Sequence, residues 1–235
     1  MKTLQLPSMS KTIVVVGASR GIGFEIVKQF AEVGNTVFAL SRDVEKMKKA
    51  FEGYSNVTSL AFDLSHEVSE QVQVLSEKIG AIDILINNAG YLVNKPFDSI
   101  SHEEFQLSYQ INVIGVMETV QGFLPLFHPD AHILNISSMG GFQGSVKFAG
   151  LSTYSTSKAA LCSFTELFSE EYKETNLSMN CLCLGAVQTE MLQEAFPGYE
   201  APTTPDQMAA FIVDFALNGN RFFKGKILPV SLSTP

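Results

Sequence analysis

Apolar positions along the chain alternate between two spacings. Short runs of β-branched and apolar residues predict strands, and apolar residues repeated every three or four positions predict helices between them. Near the N-terminal end, residues 12–16 predict a strand, and Ile22, Ile26 and Phe30 then share one face of a predicted helix over 22–33. The same alternation continues to the C-terminal end.

Seven strands are predicted, over 12–16, 36–40, 57–62, 82–86, 131–136, 179–184 and 225–230. The intervening helices are predicted over 22–33, 43–51, 68–79, 101–127 and 155–172, with a last one starting at Thr204. The sequences Ser101-x-x-Glu104 and Thr204-x-x-Gln207 are capping boxes. Repeated β-α units with apolar strands predict an α/β fold, a Rossmann-like doubly wound parallel sheet of about seven strands with helices on both faces.

No Pro- or Ser-rich linker divides the chain. We expect one domain over residues 11–235, preceded by an N-terminal extension over 1–10. Residues 191–204 include Pro197, Gly198 and Pro202, and this composition predicts a mobile loop.

Composition narrows the function classes. The 235 residues are 46% hydrophobic, and 16 Lys and Arg against 24 Asp and Glu leave a net charge of −8. The apolar fraction is too high for a disordered chain, and no apolar run reaches the roughly 18 residues of a membrane span. An acidic chain is poorly suited to nucleic acid. With no signal-peptide pattern, we expect a cytoplasmic protein with no membrane or nucleic-acid partner.

Cysteine usage agrees with this location. The three cysteines, Cys162, Cys181 and Cys183, are an odd number, which argues against a disulfide framework. Cys181 and Cys183 share a face of a predicted strand. A metal site would need further ligands nearby, so we predict buried thiols in a reducing compartment and no metal.

A glycine-rich turn joins the first strand to the first helix. Its spacing, Gly17-x-x-x-Gly21-x-Gly23, differs from both the G-x-G-x-x-G fingerprint and the phosphate-binding P-loop. An ordinary tight turn is one interpretation. Between a strand and a helix, however, such glycines let the backbone approach a pyrophosphate at the helix N-terminus, and this context favours dinucleotide binding.

The end of the second strand bears on the choice of dinucleotide. NAD binding usually involves a carboxylate about 20 residues after the turn, but here Leu40-Ser41 is followed by Arg42. A guanidinium suits a 2′-phosphate, and Arg20 could supply a second cation. Both arginines could instead be solvated, and Asp43 could neutralise Arg42. The pattern favours NADP(H) over NAD.

Four further motifs follow the glycine turn in order: Asn87-Asn88-Ala89-Gly90, Asn112 within Ile111-Asn112-Val113-x-Gly115, Ser137-Ser138, and Tyr154-x-x-x-Lys158. Together with the turn, these motifs make the chain resemble the classical short-chain dehydrogenases/reductases. The resemblance extends from about residue 12 to 189. It implies an enzyme that transfers a hydride between a nicotinamide and a small carbonyl or alcohol substrate.

The spacing of Tyr154 and Lys158 indicates an acid-base pair even without the family resemblance. They lie one turn apart on a helix face. A free tyrosine titrates near 10, and a nearby ammonium favours the phenolate, so we expect Lys158 to lower the pKa of Tyr154 toward a range useful for proton transfer.

The resemblance implies a role for each motif. Tyr154 would exchange a proton with the substrate oxygen, Ser138 would hydrogen-bond that oxygen, Lys158 would hold the nicotinamide ribose, and Asn112 would order a water in a proton relay. Ser137 could take the place of Ser138, and Asn88 is expected to have a structural role first, bracing the sheet near the cofactor. The implied cofactor contacts are Gly17, Ser19, Arg20, Ile22, Gly23, Arg42, Asp63, Asn88, Gly90, Tyr154, Lys158, Val187 and Thr189.

Three departures from the family pattern affect the substrate side. Leu184-Gly185 replaces a usual Pro-Gly, the interval from Ser138 to Tyr154 is longer than usual, and the chain does not end in the usual acidic-glycine pattern. The substrate pocket is expected to come from the loop over 140–150 and from residues 191–203, and four apolar residues there predict a partly hydrophobic substrate: Phe142, Phe148, Met191 and Phe196.

Two functions remain in competition. The first is an NADP(H)-dependent oxidoreductase that reduces a ketone, an aldehyde or a 3-oxoacyl compound and is reversible as an alcohol dehydrogenase, in a homodimer or homotetramer. The second is an NADP(H)-binding regulator without significant turnover. An intact Ser138, Tyr154 and Lys158 set favours the enzyme, because a sensor needs no acid-base pair.

Overall fold

A computed structural model describes residues 10–232 as a parallel sheet flanked by helices. The strands are β1 (Thr12–Val16), β2 (Thr36–Ser41), β3 (Val57–Ala61), β4 (Ile82–Asn87), β5 (Phe127–Ser138), β6 (Ser178–Leu184) and β7 (Ile227–Val230). The helices are α1 (Gly21–Glu32), α2 (Val44–Ala50), α3 (Val68–Ser76), α4 (His102–Tyr109), α5 (Gly115–Phe123), α6 (Ser152–Glu171), α7 (Glu190–Ala195) and α8 (Pro205–Asn218). The predicted α/β class is confirmed.

The strand order, β3-β2-β1-β4-β5-β6-β7, places β1 beside β4. The chain winds outward from β1 to β3 and then crosses back to β4, so the winding direction reverses between β1 and β4. In open α/β sheets, ligands bind at the carboxyl ends of the strands where this reversal occurs. The aligned ends Val16, Leu40 and Asn87 mark that position here.

Two apolar layers cover the sheet because successive strand residues point to opposite faces. Ile13 and Val15 belong to the core that includes α1 and α8 residues such as Phe30. Val14 and Val16 belong to the other core, which includes residues of α3, α5 and α6. The doubly wound arrangement expected from the apolar strands is therefore present.

The helix predicted over 101–127 is interrupted. The Ser101 capping box forms, but α4 passes into a π-helical segment at Gln110–Ile114 before α5. After α5, Leu124–Leu126 forms a 3₁₀ turn, and Pro125 cannot continue an α-helix. Strand β5 consequently begins at Phe127, before its predicted start at 131.

The segment predicted as a loop over 191–204 is partly regular. Helix α7 covers its first residues, and the Thr189 side chain caps this helix by accepting a hydrogen bond from the Leu192 N–H. Thr203 then pairs with Val187 in an isolated parallel bridge. The prediction of an irregular segment is therefore wrong for 191–195, and its mobility stays a prediction. Most of the predicted N-terminal extension lies outside the described residues.

Candidate active site

A cavity of about 710 Å³ opens at the carboxyl ends of the strands, beside the switch point between β1 and β4. This volume lies within the range of small-molecule sites. Most residues predicted for the site line it: Gly17, Ser19, Arg20, Ile22, Arg42, Asp63, Asn88, Gly90, Ser138, Tyr154, Lys158, Val187 and Thr189. Gly23 and Asn112, which do not line it, support its walls.

The glycine turn forms the floor of the cavity. Gly17 has a φ of +87°, and a Cβ there would lie 2.6 Å from the Ala89 backbone. A Cβ on Gly23 would lie only 2.1 Å from the Gly17 carbonyl oxygen. The Asn88 side chain donates a 3.0 Å hydrogen bond to the same oxygen. Close packing, rather than turn flexibility alone, therefore requires glycine at both positions.

Helix α1 begins within this turn, and its N-terminus has no side-chain cap. Arg20 is the N-cap residue, its side chain makes no capping hydrogen bond, and the first turn contains no acidic residue. The free N–H groups and the helix dipole favour an anion at such a position. The turn can accordingly bind a pyrophosphate.

Arg42 and Asp63 lie at the far end of the cavity, after β2 and β3. Arg42 is exposed, and Asp43 is engaged elsewhere, since its carboxylate accepts from the Lys46 N–H as the cap of α2. Burial alone would raise the pKa of the Asp63 carboxyl. Hydrogen bonds from Ser65 and the charge of Arg42 nevertheless hold that pKa below its ordinary value.

The structure pairs Arg20 with α7. Its Nη1 lies 2.7 Å from Oε1 of Glu194, in an exposed ion pair. The hydrogen bond to Glu194 raises the pKa of Arg20. In this conformation a carboxylate offsets the guanidinium charge, so the predicted role of Arg20 as a second phosphate ligand requires that the ion pair open.

Ser138 and Tyr154 meet at the other end of the cavity. The Ser138 side chain lies close enough to the Tyr154 hydroxyl to counter part of the rise in the Tyr154 pKa, and Ser138 Oγ accepts a hydrogen bond from the Gly140 N–H at 3.2 Å. Ser137 is turned toward α6, where its hydroxyl donates to the Lys158 carbonyl oxygen at 2.8 Å. The geometry therefore selects Ser138, and not Ser137, as the partner of Tyr154.

Lys158 lies behind Tyr154 and is almost completely buried. Its Nζ donates to the Ile136 carbonyl oxygen at 2.9 Å and lies 6.0 Å from the centre of the Tyr154 ring. Burial lowers the pKa of Lys158 to about 8. Burial also raises the pKa of Tyr154 to about 12, and the nearby Ser138 side chain opposes this shift only in part.

The expected lowering of the Tyr154 pKa by Lys158 is thus absent from this structure. Removal from water disfavours the phenolate, and this cost exceeds any help from the ammonium. The hydroxyl of Tyr154 therefore stays protonated at neutral pH, which is the form that donates a proton to a substrate oxygen.

Asn112 occupies the π-helical segment and makes three hydrogen bonds. Its Nδ2 donates to the Tyr91 carbonyl oxygen and to Ser157 Oγ, both at 2.9 Å, and its Oδ1 accepts from the Tyr91 N–H at 2.8 Å. These are the specific polar contacts expected of an asparagine within a helix. A Cβ on Gly90 would lie 3.4 Å from Lys158 Nζ and 3.6 Å from Asn112 Oδ1, so Gly90 lies between these two side chains.

The substrate side of the cavity is largely apolar. Phe148, Met191 and Phe196 line it as predicted, but Phe142 instead packs against a buried cluster that includes Met139. Sequence reasoning missed several lining residues that share the same two segments: Val146, Leu151, Leu192 and Tyr199. Apolar residues in loops often line a binding site, so the apolar character of these four residues could have identified them from the sequence.

The fold and the position of this cavity are typical of a dinucleotide-binding oxidoreductase, and comparisons with known proteins show the same class. A family model described as short chain dehydrogenase matches residues 11–200. An uncharacterised oxidoreductase of Staphylococcus saprophyticus is 30% identical over 208 residues, covering 85% of this chain and 88% of that protein. A 3-oxoacyl-[acyl-carrier-protein] reductase of Chlamydia muridarum is 30% identical over 241 residues, covering 94% and 96%.

A solved structure gives the same result at the level of the fold. A short chain dehydrogenase from Escherichia coli, complexed with NADPH, superposes with a TM-score of 0.85 at 26% identity and covers 93% of this chain and 95% of its own. This chain therefore belongs to the short-chain dehydrogenase family of oxidoreductases. Among residues 10–232, no helix has both the length and the apolar character of a membrane span.

Proposed function

We propose that this protein is an NADP(H)-dependent oxidoreductase that interconverts a carbonyl compound and an alcohol. The observation that carries the proposal is that Ser138, Tyr154 and the buried Lys158 line one ligand-sized cavity at the carboxyl ends of the strands. An acid-base pair has a use only where a proton is transferred, so the enzyme is favoured over a cofactor-sensing regulator.

The described residues suit a dinucleotide along the whole cavity. The uncapped N-terminus of α1 and the closely packed glycines would hold the pyrophosphate, with Ser19 and Ile22 beside it. Arg42 would read the 2′-phosphate, and Val187 and Thr189 would contact the nicotinamide end. The Escherichia coli relative is complexed with NADPH, and one from Shigella flexneri, 28% identical, is complexed with NADP. Both relatives support NADP(H) here.

The cofactor supplies or accepts the hydride when bound. In reduction, the protonated Tyr154 hydroxyl donates its proton to the carbonyl oxygen of the substrate, and Ser138 donates a hydrogen bond to the same oxygen. Lys158 holds a positive charge behind Tyr154, which favours the phenolate that forms after proton transfer. Asn112 joins Tyr91, in the segment after β4, to Ser157 of α6, so these groups stay aligned.

The substrate we propose is an aldehyde, a ketone or a 3-oxoacyl thioester with an apolar body. Phe148, Met191, Leu192 and Phe196 provide an apolar wall near the Ser138 and Tyr154 pair. The named activity of the Chlamydia muridarum relative supports the 3-oxoacyl subclass.

We further propose a homodimer or homotetramer that works in the cytoplasm. Apolar side chains exposed on adjacent helices support self-association, namely Tyr109, Ile114, Met117 and Leu167. The free thiols of all three cysteines suit a reducing compartment.

The test is a panel of aldehydes, ketones and 3-oxoacyl thioesters assayed with NADPH and with NADH by absorbance at 340 nm. We expect turnover with some member of the panel and a preference for NADPH. Tyr154→Phe should lower kcat by at least about 100-fold, because the proton donor is lost, while NADPH binding measured by fluorescence persists. Tyr91→Phe is the control, because it removes a hydroxyl from another cavity residue.

Unchanged kcat in Tyr154→Phe would overturn the mechanism. NADPH binding without turnover across the whole panel would instead favour the regulator.

A further inference from the structure

A second cluster of reactive side chains lies behind the catalytic centre. Cys181 and Cys183 project from one face of β6, and Cys162 approaches them from α6. The Cys162 sulfur lies 3.6 Å from that of Cys183 and 4.0 Å from that of Cys181. All three sulfurs lie within 4.8 Å of one another, and no other such group of metal-binding side chains occurs in the described part of the chain.

The surroundings of the three sulfurs are apolar. Cys181 and Cys183 are fully buried and pack with Met139, while Phe142 and Ile227 cover the group. Cys162 is partly exposed, so an ion can reach the group from its side. All three cysteines are free thiols.

The nearest hydroxyl is already engaged. Ser137 Oγ lies 3.7 Å from the Cys162 sulfur, but this hydroxyl donates its proton to the Lys158 carbonyl oxygen. Within residues 10–232, no histidine or carboxylate joins the three cysteines. The donor set is therefore sulfur alone, with three members.

We propose that Cys162, Cys181 and Cys183 form a three-thiolate site for a soft monovalent cation, Cu(I). Thiolates select soft ions. With metal–sulfur bonds of about 2.3 Å, three sulfurs in a plane around an ion are separated by about 4 Å. The two separations from Cys162 already match this figure, so the ion can bind with small side-chain adjustments.

The number of ligands separates Cu(I) from Zn(II). Structural zinc sites are almost always tetrahedral with four protein ligands, and a fourth is missing from the described residues around this cluster. Cu(I) is satisfied by three thiolates, and its binding would release the three thiol protons to the solvent. Lys158, one turn before Cys162 on α6, would offset part of the negative charge that the three thiolates carry around a bound ion.

The experiment is an anaerobic titration of the reduced full-length protein with the coloured Cu(I) complex of bathocuproine disulfonate. We expect the protein to remove one Cu(I) per chain from the probe, and X-ray absorption to show three sulfur neighbours at about 2.3 Å. Zn(II) at equal concentration should not displace the bound Cu(I).

The matched control moves one thiol along α6. The double variant Cys162→Ser/Ser163→Cys keeps three cysteines but places one on the exposed position 163. It should lose the one-to-one transfer, with at least a tenfold weaker affinity for Cu(I), while a circular dichroism melt shows that it folds. Ser163→Ala should bind Cu(I) like the wild type.

Two results would overturn the proposal. One is failure of the wild-type protein to take Cu(I) from the probe. The other is equal transfer to the wild type and the double variant, which would mean that isolated thiols and not the three-sulfur geometry bind the ion.

Discussion

At the residue scale, the main feature is the burial of two titratable groups side by side. Tyr154 and Lys158 have pKa values of about 12 and about 8, moved by burial in the directions that keep each group neutral. The Lys158 ammonium makes one hydrogen bond, to the Ile136 carbonyl oxygen, and within residues 10–232 it forms no ion pair with a carboxylate. A group maintained at such a cost to stability is typical of an active site.

This cost leads to a prediction for Lys158→Met. Below pH 8 the buried ammonium destabilises the fold, and between pH 8 and the ordinary value of 10.5 the unfolded chain holds a proton that the folded chain lacks. The free energy of unfolding of the wild type therefore rises with pH across this window. The variant should be more stable by about 2 kcal/mol at pH 7 and should lose this advantage by pH 10.5.

Urea denaturation from pH 7 to 10.5 measures both curves. Lys78→Met is the control, because Lys78 is exposed, and its stability difference from the wild type should be flat over this range. A flat difference for Lys158→Met as well would show that the lysine is not destabilised by burial.

Arg42 carries the prediction on cofactor choice. In Arg42→Ala, the Kd for NADPH should rise by about tenfold or more, because a charge-assisted hydrogen bond to the 2′-phosphate is lost, while the Kd for NADH changes little. Fluorescence titration with both cofactors measures this, with the exposed Arg221→Ala as control. Equal losses for NADPH and NADH would mean that Arg42 does not recognise the 2′-phosphate.

At the element scale, the glycine turn could be predicted from the sequence, but the interruption of the helix over 101–127 could not. The turn could be predicted because glycine spacing between a strand and a helix is a local signal. The π-helical segment at Gln110–Ile114 could not, because its cause is tertiary: the side chain of Asn112 bonds to Tyr91 and Ser157, which belong to distant parts of the chain. Helix α7 was missed because its six residues are closely followed by Pro197, Gly198 and Pro202, which are typical of a loop.

The turn supports a prediction for Gly23→Ala. A methyl group there would lie 2.1 Å from the Gly17 carbonyl oxygen and 2.6 Å from Asn88 Nδ2, so the turn must shift. We expect a loss of about 1–3 kcal/mol in stability and much weaker NADPH binding. A thermal melt and a fluorescence titration measure the two effects.

Gly80→Ala is the matched control, since nothing lies within 4 Å of a Cβ at that position. If Gly23→Ala bound NADPH as tightly as the control does, the close packing of the turn would not be needed for cofactor binding.

At the scale of the whole molecule, some apolar side chains lie outside the two apolar layers and are exposed on the surface. Ile114 and Met117 at the start of α5, and Leu167 on α6, are each more than 40% exposed. Burying such side chains against a second copy would stabilise an assembly. This is the surface through which we expect the protein to self-associate.

The corresponding prediction concerns Ile114→Glu/Leu167→Glu. Two charges in an apolar interface would be costly, so the assembly should dissociate to monomers in size-exclusion chromatography with light scattering. Val33→Glu, which changes an exposed valine at the end of α1, should leave the mass unchanged. A wild-type protein that is already monomeric would refute self-association, and an unchanged assembly in the double variant would place the interface elsewhere.

The sequence by itself determined the α/β class, the parallel sheet, the glycine turn and the order of the catalytic motifs, because hydrophobic period and motif spacing are local properties of the chain. Tertiary structure decided that Ser138, and not Ser137, faces Tyr154. It also decided that Arg20 pairs with Glu194. It also brought Cys162 to the two cysteines of β6. These outcomes depend on which side chains meet across elements distant in sequence, and burial by those elements is what moves the pKa values of Tyr154 and Lys158.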